Sequence, residues 1–348
     1  PADVAPLRPV SGVALVRDES RITVEGAPDE PGSSHVVFSS LAEAGIAVDM
    51  IVQNLGRQGR ADISFTVPAE DLPLALEVSG RACERIGATG LSKDEALAKV
   101  SVVGIGMERE RGVAGRMFTA LAAEGINVRM ITTSEIKISS LVDRDRAADA
   151  VRAVHRSFDL AGAIADEGVL LIAESLPHVP SSPLEVVQRL EGMEDLAIED
   201  CQLDASQALV TFLDLPDSPG EAAAVFEEAG RAGVMVDMIV QSHPREGRAE
   251  LGFTVPAESG ARMAELARQI AEPRGARVAE VPHVAKLSIT GVGIRSHAGV
   301  ADRLFKPLAE AGINIDLVNT SEVRLNVIVT AAQGEAALAV LRKAFGLG

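Results

Sequence analysis

The chain repeats, and a duplicated sequence restricts the fold to one built in matching pieces. With Gly32 set on Gly220, a shift of 188, Gly45 meets Gly233, Asp49 meets Asp237, Gln53 meets Gln241 and Phe65 meets Phe253. The words VDMIVQ (48–53 and 236–241) and FTVPAE (65–70 and 253–258) stand in both copies. Further along the shift becomes 187, which places Gly106 on Gly293, Gly125 on Gly312 and Ser134 on Ser321. Each half repeats again, more weakly. SSLAEAGIAVDMIVQN (39–54) falls on TALAAEGINVRMITTS (119–134) at a shift of 80, and the second half does the same at 79. Four modules of about 70–80 residues result. The stretch 165–195 has no counterpart; within it PSSPLEVVQRL (180–190) predicts a helix start, with Ser182 as N-cap and Pro183 at the first helical position.

One module reads strand, helix, strand, strand, helix, strand. RITVEG (21–26) alternates as a strand, and 32–44 follows as a helix with Val37, Phe38 and Leu41 on one face. The second module carries the same stripe in Val113, Met117, Phe118 and Leu121. Gly45 and Gly125 stand where a helix C-terminus favours a left-handed residue. AVDMIVQN and ADISFTV pair as strands, and a helix at about 70–85 with a strand near 86–91 closes the unit. The expected fold is α+β: four ferredoxin-like βαββαβ modules in two tandem pairs, with antiparallel sheets and helices on one face. The expected boundaries are 21–94, 95–164, 208–280 and 281–348, with 165–207 as a linker bearing a helix and a strand. A lone module leaves a sheet edge open, and pairing with a sibling removes it. VSGVALVRD (10–18), in the leading segment 1–20, and IEDCQLD (198–204) are extra strands able to complete a neighbour's sheet, the first of them the second module's.

Composition excludes several classes. Lys+Arg is 33 against Asp+Glu 50, a formal charge of -17, which disfavours nucleic acid and anionic membrane surfaces as partners. There is no Trp or Tyr for stacking bases or sugars. Cys83 and Cys201 are isolated, which fits a reducing compartment and offers no metal-ligand spacing. No apolar run reaches the ~18 residues of a membrane span, so a cytoplasmic location is expected. The six His residues show neither metal spacing nor a nucleophile's context, so no catalytic, metal or cofactor site is expected. GIGMERERG (104–112) and GVGIRSHAG (291–299) miss the dinucleotide and phosphate-loop spacings and read as strand ends leading into a helix.

Polar residues recur at fixed places. PDEPG (28–32) and PDSPG (216–220) end a strand and open a helix, so Asp29, Gly32, Asp217 and Gly220 mark an N-terminus able to attract a carboxylate, or simply a well-capped helix. IVQN (51–54), IVQS (239–242) and TTSE (132–135) put Gln53, Asn54, Gln241, Ser134 and Glu135 at the end of the following strand. Asn127 and Asn314 head that strand; either could be a turn residue, and Ser134–Glu135 could be a bulge. In GINVRMITTSE (125–135) and GINIDLVNTSE (312–322) the Asn, Ser and Glu return while the residues between drift from Arg-Met-Ile-Thr to Asp-Leu-Val-Asn. A kept polar frame with a varied lining is the pattern of a site.

VSGVALVRDESRITVEGAPDEPG, GIAVDMIVQN, ADISFTVP, KVSVVGIGM and GINVRMITTSEIKISSLVDRDRAADAVRAVHRSF together resemble the regulatory region of aspartate kinases, a tandem of amino-acid-binding ACT domains. The resemblance runs through 10–160 and resumes at about 196–345, weaker in the third module and strong in KLSITGVGIRSHAGVADRLF (286–305). It implies an allosteric part that binds lysine and/or threonine between ACT domains and feedback-inhibits a kinase domain or subunit, here absent. The alternative is a free-standing ACT-type sensor. Carried over by motif, effector contacts fall on Asp29, Gly32, Ser34, Gln53, Asn54 and Ser64 of the first module and Asn127, Val128, Ser134 and Glu135 of the second. Their repeats are Asp217, Gly220, Gln241, Asn314, Ile315, Ser321 and Glu322. The third module departs with Ser242 for Asn54 and Gly252 for Ser64, so the first tandem pair is expected to bind better than the second. The duplication also implies that the halves pair within one chain as a pseudo-dimer, with a homodimer as the other possibility.

Overall fold

The structure, a computed structural model, describes residues 10–54, 58–104, 107, 110–134, 136–160, 197–241, 243–292, 294, 299–321 and 324–347. The helix predicted at 180–190 lies outside the described residues. In the first half the elements are β1 (Gly12–Pro28), α1 (Ser33–Glu43), β2 (Ile51–Gln53), β3 (Arg60–Pro68), α2 (Leu72–Ile86), β4 (Gly90–Val103), α3 (Val113–Ala123), β5 (Met130–Ser134), β6 (Lys137–Asp143) and α4 (Ala147–Ser157). The second half runs β7 (Ala197–Pro216), α5 (Glu221–Arg231), β8 (Ile239–Gln241), β9 (Arg248–Pro256), α6 (Ala257–Ala271), β10 (Arg277–Val292), α7 (Val300–Glu310), β11 (Leu317–Thr320), β12 (Arg324–Thr330) and α8 (Gly334–Phe345). None of these helices is long and apolar enough to cross a membrane.

Four strands are longer than expected because no turn interrupts them. The leading strand 10–18 and RITVEG merge into the 17-residue β1, and IEDCQLD opens the 20-residue β7. In β1, Gly12–Val16 pairs with Lys99–Val103 of β4, whereas Arg21–Glu25 pairs with Gly90–Asp94. Register shifts around Glu19 separate the two stretches, and β7 with β10 shows the same device near Val284. Such bulges bend a strand and increase its twist, so each long strand passes from one sheet into another.

The strands close into an antiparallel ring in the order β1-β3-β2-β11-β12-β10-β7-β9-β8-β5-β6-β4. In this order the two halves of the chain meet twice. The first unit joins the fourth through β2 and β11 (Gln53 opposite Val318, Val52 opposite Asn319), and the second joins the third through β5 and β8 (Ile131 opposite Gln241). Every module offers the same kind of free edge, and closing the ring covers all of them. Units adjacent in sequence are connected instead by the long shared strands.

Three cores follow from strand alternation. Helices α1, α2, α7 and α8 cover the first-and-fourth sheet over Phe38, Phe65, Phe305 and Leu304. Helices α3 to α6 cover the second-and-third sheet over Phe118, Phe226, Phe253 and Met117. A third cluster takes Met50, Val52, Met130, Leu141, Met238, Val240, Leu317 and Ile328 from all four units, where the helix-free faces meet. At each junction two rings cross between units, Phe38 on Phe305 at 4.9 Å and Phe118 on Phe226 at 5.5 Å.

The two junctions share a polar tie. Ile51 N–H donates to Thr320 Oγ1 at 2.8 Å, and that hydroxyl donates to Asp49 O at 2.6 Å. At the other junction Ile239 N–H donates to Thr133 Oγ1 at 2.9 Å, and Thr133 donates to Asp237 O at 3.2 Å. Thr133 and Thr320 are repeat partners, buried to 4 % exposure each. Thr320→Val keeps the shape and strands two buried backbone groups. The expected loss is about 1–3 kcal/mol, read by denaturant unfolding, and an unchanged midpoint would show that the tie is dispensable.

Candidate functional site

The polar frames meet across the two junctions. At the first-and-fourth junction Gly32 starts α1 with φ 110°, a left-handed geometry that glycine adopts without strain. Asp29 is held by its N–H to Gly59 O at 3.0 Å. Asn314 Nδ2 donates to Asp29 Oδ1 at 2.8 Å, Gln53 Nε2 to Ile315 O at 3.0 Å, and Ser34 Oγ to Gln53 Oε1 at 2.6 Å. The second-and-third junction repeats the pattern. Gly220 starts α5 with φ 101°, and Asp217 N–H donates to Gly247 O at 2.9 Å. Asn127 Nδ2 donates to Asp217 Oδ1 at 2.9 Å and Gln241 Nε2 to Val128 O at 3.0 Å. Ala222 stands in the place of Ser34.

Of the expected effector contacts, Asp29, Gly32, Ser34 and Gln53 of the first unit lie with Asn314 and Ile315, while Asp217, Gly220 and Gln241 lie with Asn127 and Val128. The reason is the ring order: the strand edge beside β2 is β11. Both clefts are tight, about 10 Å³ at the first and about 20 Å³ at the second. Each has room for about one water.

The remaining expected contacts separate from these frames. Ser64 sits on β3 between Ile63 and Phe65, which face the helices, so alternation turns it to the layer between the sheets. There its hydroxyl lies 2.9 Å from Thr23 Oγ1. Asn54 Nδ2 donates to Glu250 O at 3.3 Å, reaching the third unit, at a cleft of about 400 Å³ between the two β-hairpins. Ser134 and Ser321 close turns, donating to Lys137 O and Arg324 O at 3.4 Å each. Both also line a small cleft with Asp49 and Lys99, which pair with each other. Glu135, Glu322, Ser242, Arg295, Ser296 and His297 lie outside the described residues. Among the described residues no group of three or more His, Cys, Asp or Glu could hold a metal.

Two residues beside the frames were not singled out in advance. Arg129 forks onto Asp143, with Nε and Nη2 each 3.1 Å from a carboxylate oxygen, and its Nη1 lies 3.6 Å from Asp217 Oδ2. The hydrogen bonds to Asp143 raise its guanidinium above the ordinary value. Its repeat partner is Asp316, whose carboxyl is pushed up to about 6 by burial and by Asp29 nearby. The drift from Arg-Met-Ile-Thr to Asp-Leu-Val-Asn held this signal; it needed reading for charge.

Comparison with known proteins agrees with this architecture. An ACT-domain family model matches residues 22–80, 100–158 and 287–345, half of the chain. The chain belongs to the ACT-domain family. It is 44% identical over 151 residues to an aspartokinase of Pseudomonas aeruginosa and 44% identical over 153 residues to one of Helicobacter pylori. Each alignment covers 43% of this chain and 37% of the relative, so the chain spans well under half the length of these relatives. The crystal structure of aspartate kinase from Synechocystis superposes on 99% of this chain and 57% of its own, with a TM-score of 0.86 and 27% identity.

The Asp316 environment carries a pH signature. Its folded-state value lies above the ordinary 3.8, so the native state holds the proton more tightly, and the ionised group costs stability above pH about 6. Asp316→Asn should raise the melting stability at pH 8 by about 1–3 kcal/mol, with the gain fading as pH falls towards 4. Thermal melts across that range check it; a gain that grows in acid contradicts the assignment.

Proposed function

We propose that this chain is the regulatory region of an aspartate kinase, built of four ACT modules that sense end-product amino acids. Three of the modules carry the family match; the fourth, 208–280, is assigned by its element order and by its 188-residue shift from the first. The proposed boundaries are 21–94, 95–164, 208–280 and 281–348. The observation that carries the reading is the recurrence of one hydrogen-bonded frame at both junctions.

The frame suits an α-amino acid. Backbone N–H groups at the glycine-started helix meet the α-carboxylate, where the helix dipole adds to them. Asp29 or Asp217 meets the α-ammonium, and Gln53 or Gln241 with the Asn-headed strand borders the side chain. A cleft of 10–20 Å³ admits no amino acid without parting the modules. Ligand free energy is thereby tied to the relative placement of two units, which is how an effector shifts a population. Coupling free energies of this kind are about 1–3 kcal/mol. The effector proposed is lysine and/or threonine, the response feedback inhibition, and the partner a kinase catalytic domain or subunit.

Calorimetric titration with lysine, threonine and methionine separately tests the reading. Binding by at least one at or below millimolar concentration is expected, and none binding would sink it. Asn314→Ala should weaken binding at the first-and-fourth junction and Asn127→Ala at the other, each by about tenfold. If both variants bind as the unmodified chain does, the ligand sits elsewhere.

A further inference from the structure

An opening of about 400 Å³ lies away from the junctions, where the β2–β3 and β8–β9 hairpins of the first and third units face each other. It falls within the ~300–1,000 Å³ range of small-molecule pockets, whereas each junction cleft holds about one water. Its walls are copies: at the 188-residue shift Arg60 matches Arg248, Ala61 matches Ala249 and Asp62 matches Glu250. Two ties cross it. Asn54 Nδ2 donates to Glu250 O at 3.3 Å, and Arg245 Nη2 donates to Asp62 Oδ1 at 2.7 Å.

The two copied arginines are held alike. Arg60 Nη1 donates to Gly26 O at 2.8 Å and to Gly87 O at 2.7 Å. Arg248 Nη1 donates to Asp214 O at 2.7 Å and to Arg274 O at 2.9 Å. Each guanidinium is thereby fixed through one nitrogen. Among the described residues its Nε and Nη2 have no acceptor, and neither arginine has an ion-pair partner. The acidic side chains around them are already engaged. Asp62 accepts from Arg245 and from Gly26 N–H at 2.8 Å, Asp214 accepts from Arg277 at 2.8 Å, and Glu250 has an interaction of its own. Two anchored, uncompensated guanidinium groups lining one opening favour an anion there, and their fork matches phosphate geometry. In a chain of formal charge -17 such a place stands apart.

A second, independent observation concerns Asn54, which lines the same opening. It is 2 % exposed, and its Oδ1 has no hydrogen-bond partner among the described residues. A buried acceptor of this kind costs stability unless a donor meets it. A ligand hydroxyl is a donor that brings no charge of its own. Among the described residues no Phe borders the opening, and the chain has no Trp or Tyr. The lining therefore favours a hydroxylated body over a flat aromatic base, which needs a ring to stack on.

We propose that this cleft binds a small phosphate monoester with a hydroxylated body. The phosphate lies between Arg60 and Arg248, and a ligand hydroxyl donates to Asn54 Oδ1. Because the two arginines belong to opposite halves of the chain, an occupied cleft braces the first unit against the third. The inference is independent of the amino-acid reading, since it uses no residue of the two junction frames.

Calorimetry of the full chain with glycerol 3-phosphate, inorganic phosphate and glycerol tests it, at fixed ionic strength and without amino acids. Glycerol 3-phosphate should bind at least about threefold more tightly than inorganic phosphate, and glycerol should not bind. Arg60→Gln and Arg248→Gln should each weaken the ester by at least about tenfold. Both arginines also hold backbone carbonyls, so a variant at the exposed rim decides the matter if these two fail to fold. Gln58→Glu adds a negative charge there and should weaken the ester about threefold. Arg152→Gln, at an exposed arginine of α4 that does not border the cleft, should leave binding unchanged. No saturable binding of either phosphate, or variants of Arg60, Arg248 and Gln58 that bind as the unmodified chain does, would overturn the proposal. An equal loss in Arg152→Gln would overturn it too, by showing a general effect of charge. An ester no tighter than inorganic phosphate would overturn the hydroxyl contact at Asn54.

Discussion

Two threonine hydroxyls bridge the junctions at which the ring closes. The strands that meet at the junctions are short, three residues in β2 and β8, and the ladder between them and their partners amounts to one or two residue pairs. Thr320 and Thr133 supply what the ladder lacks, each accepting from a neighbouring backbone N–H and donating to a carbonyl on the same strand segment. The stacked Phe38–Phe305 rings and the tilted Phe118–Phe226 pair pack the helices together above them. Elsewhere the sheets are tied by long strands paired over most of their length. The junctions are thus the places where backbone pairing is thinnest and side chains decide, and the polar frames sit there.

This placement joins site to motion. A ligand that parts a junction works against two hydroxyl bonds and an aromatic contact rather than against an unbroken ladder. Because β1, β4, β7 and β10 each run through both sheets, a rotation at one junction bends strands that also belong to the other.

Much of this was legible in the residues, and the limits have physical causes. The duplication, the element order and the polar frame are local patterns, so Asp29, Gln53, Asn127 and Asn314 could be read directly. Which unit faces which could not, because four similar edges offer the same backbone groups and the choice is made by ring closure. Ser64 lies outside the frames, as its neighbours Ile63 and Phe65 already imply: by period-two alternation it faces away from α1. The continuity of β1 escaped because Asp18–Ser20 reads as a break, whereas the chain passes through it as a bulge. Asp316 and Arg129 were in plain view as drift between copies, but their meaning depends on neighbours distant in sequence.

The covalent union of the halves changes the concentration law of the clefts. A site shared by separate subunits forms in a second-order process and is lost when the subunits are dilute. Here Asn314 and Asp29 are 285 positions apart on a single chain, so their meeting is first-order. Tethering of this kind supplies an effective concentration that can reach about millimolar whatever the abundance of the molecule. The clefts therefore exist at any expression level.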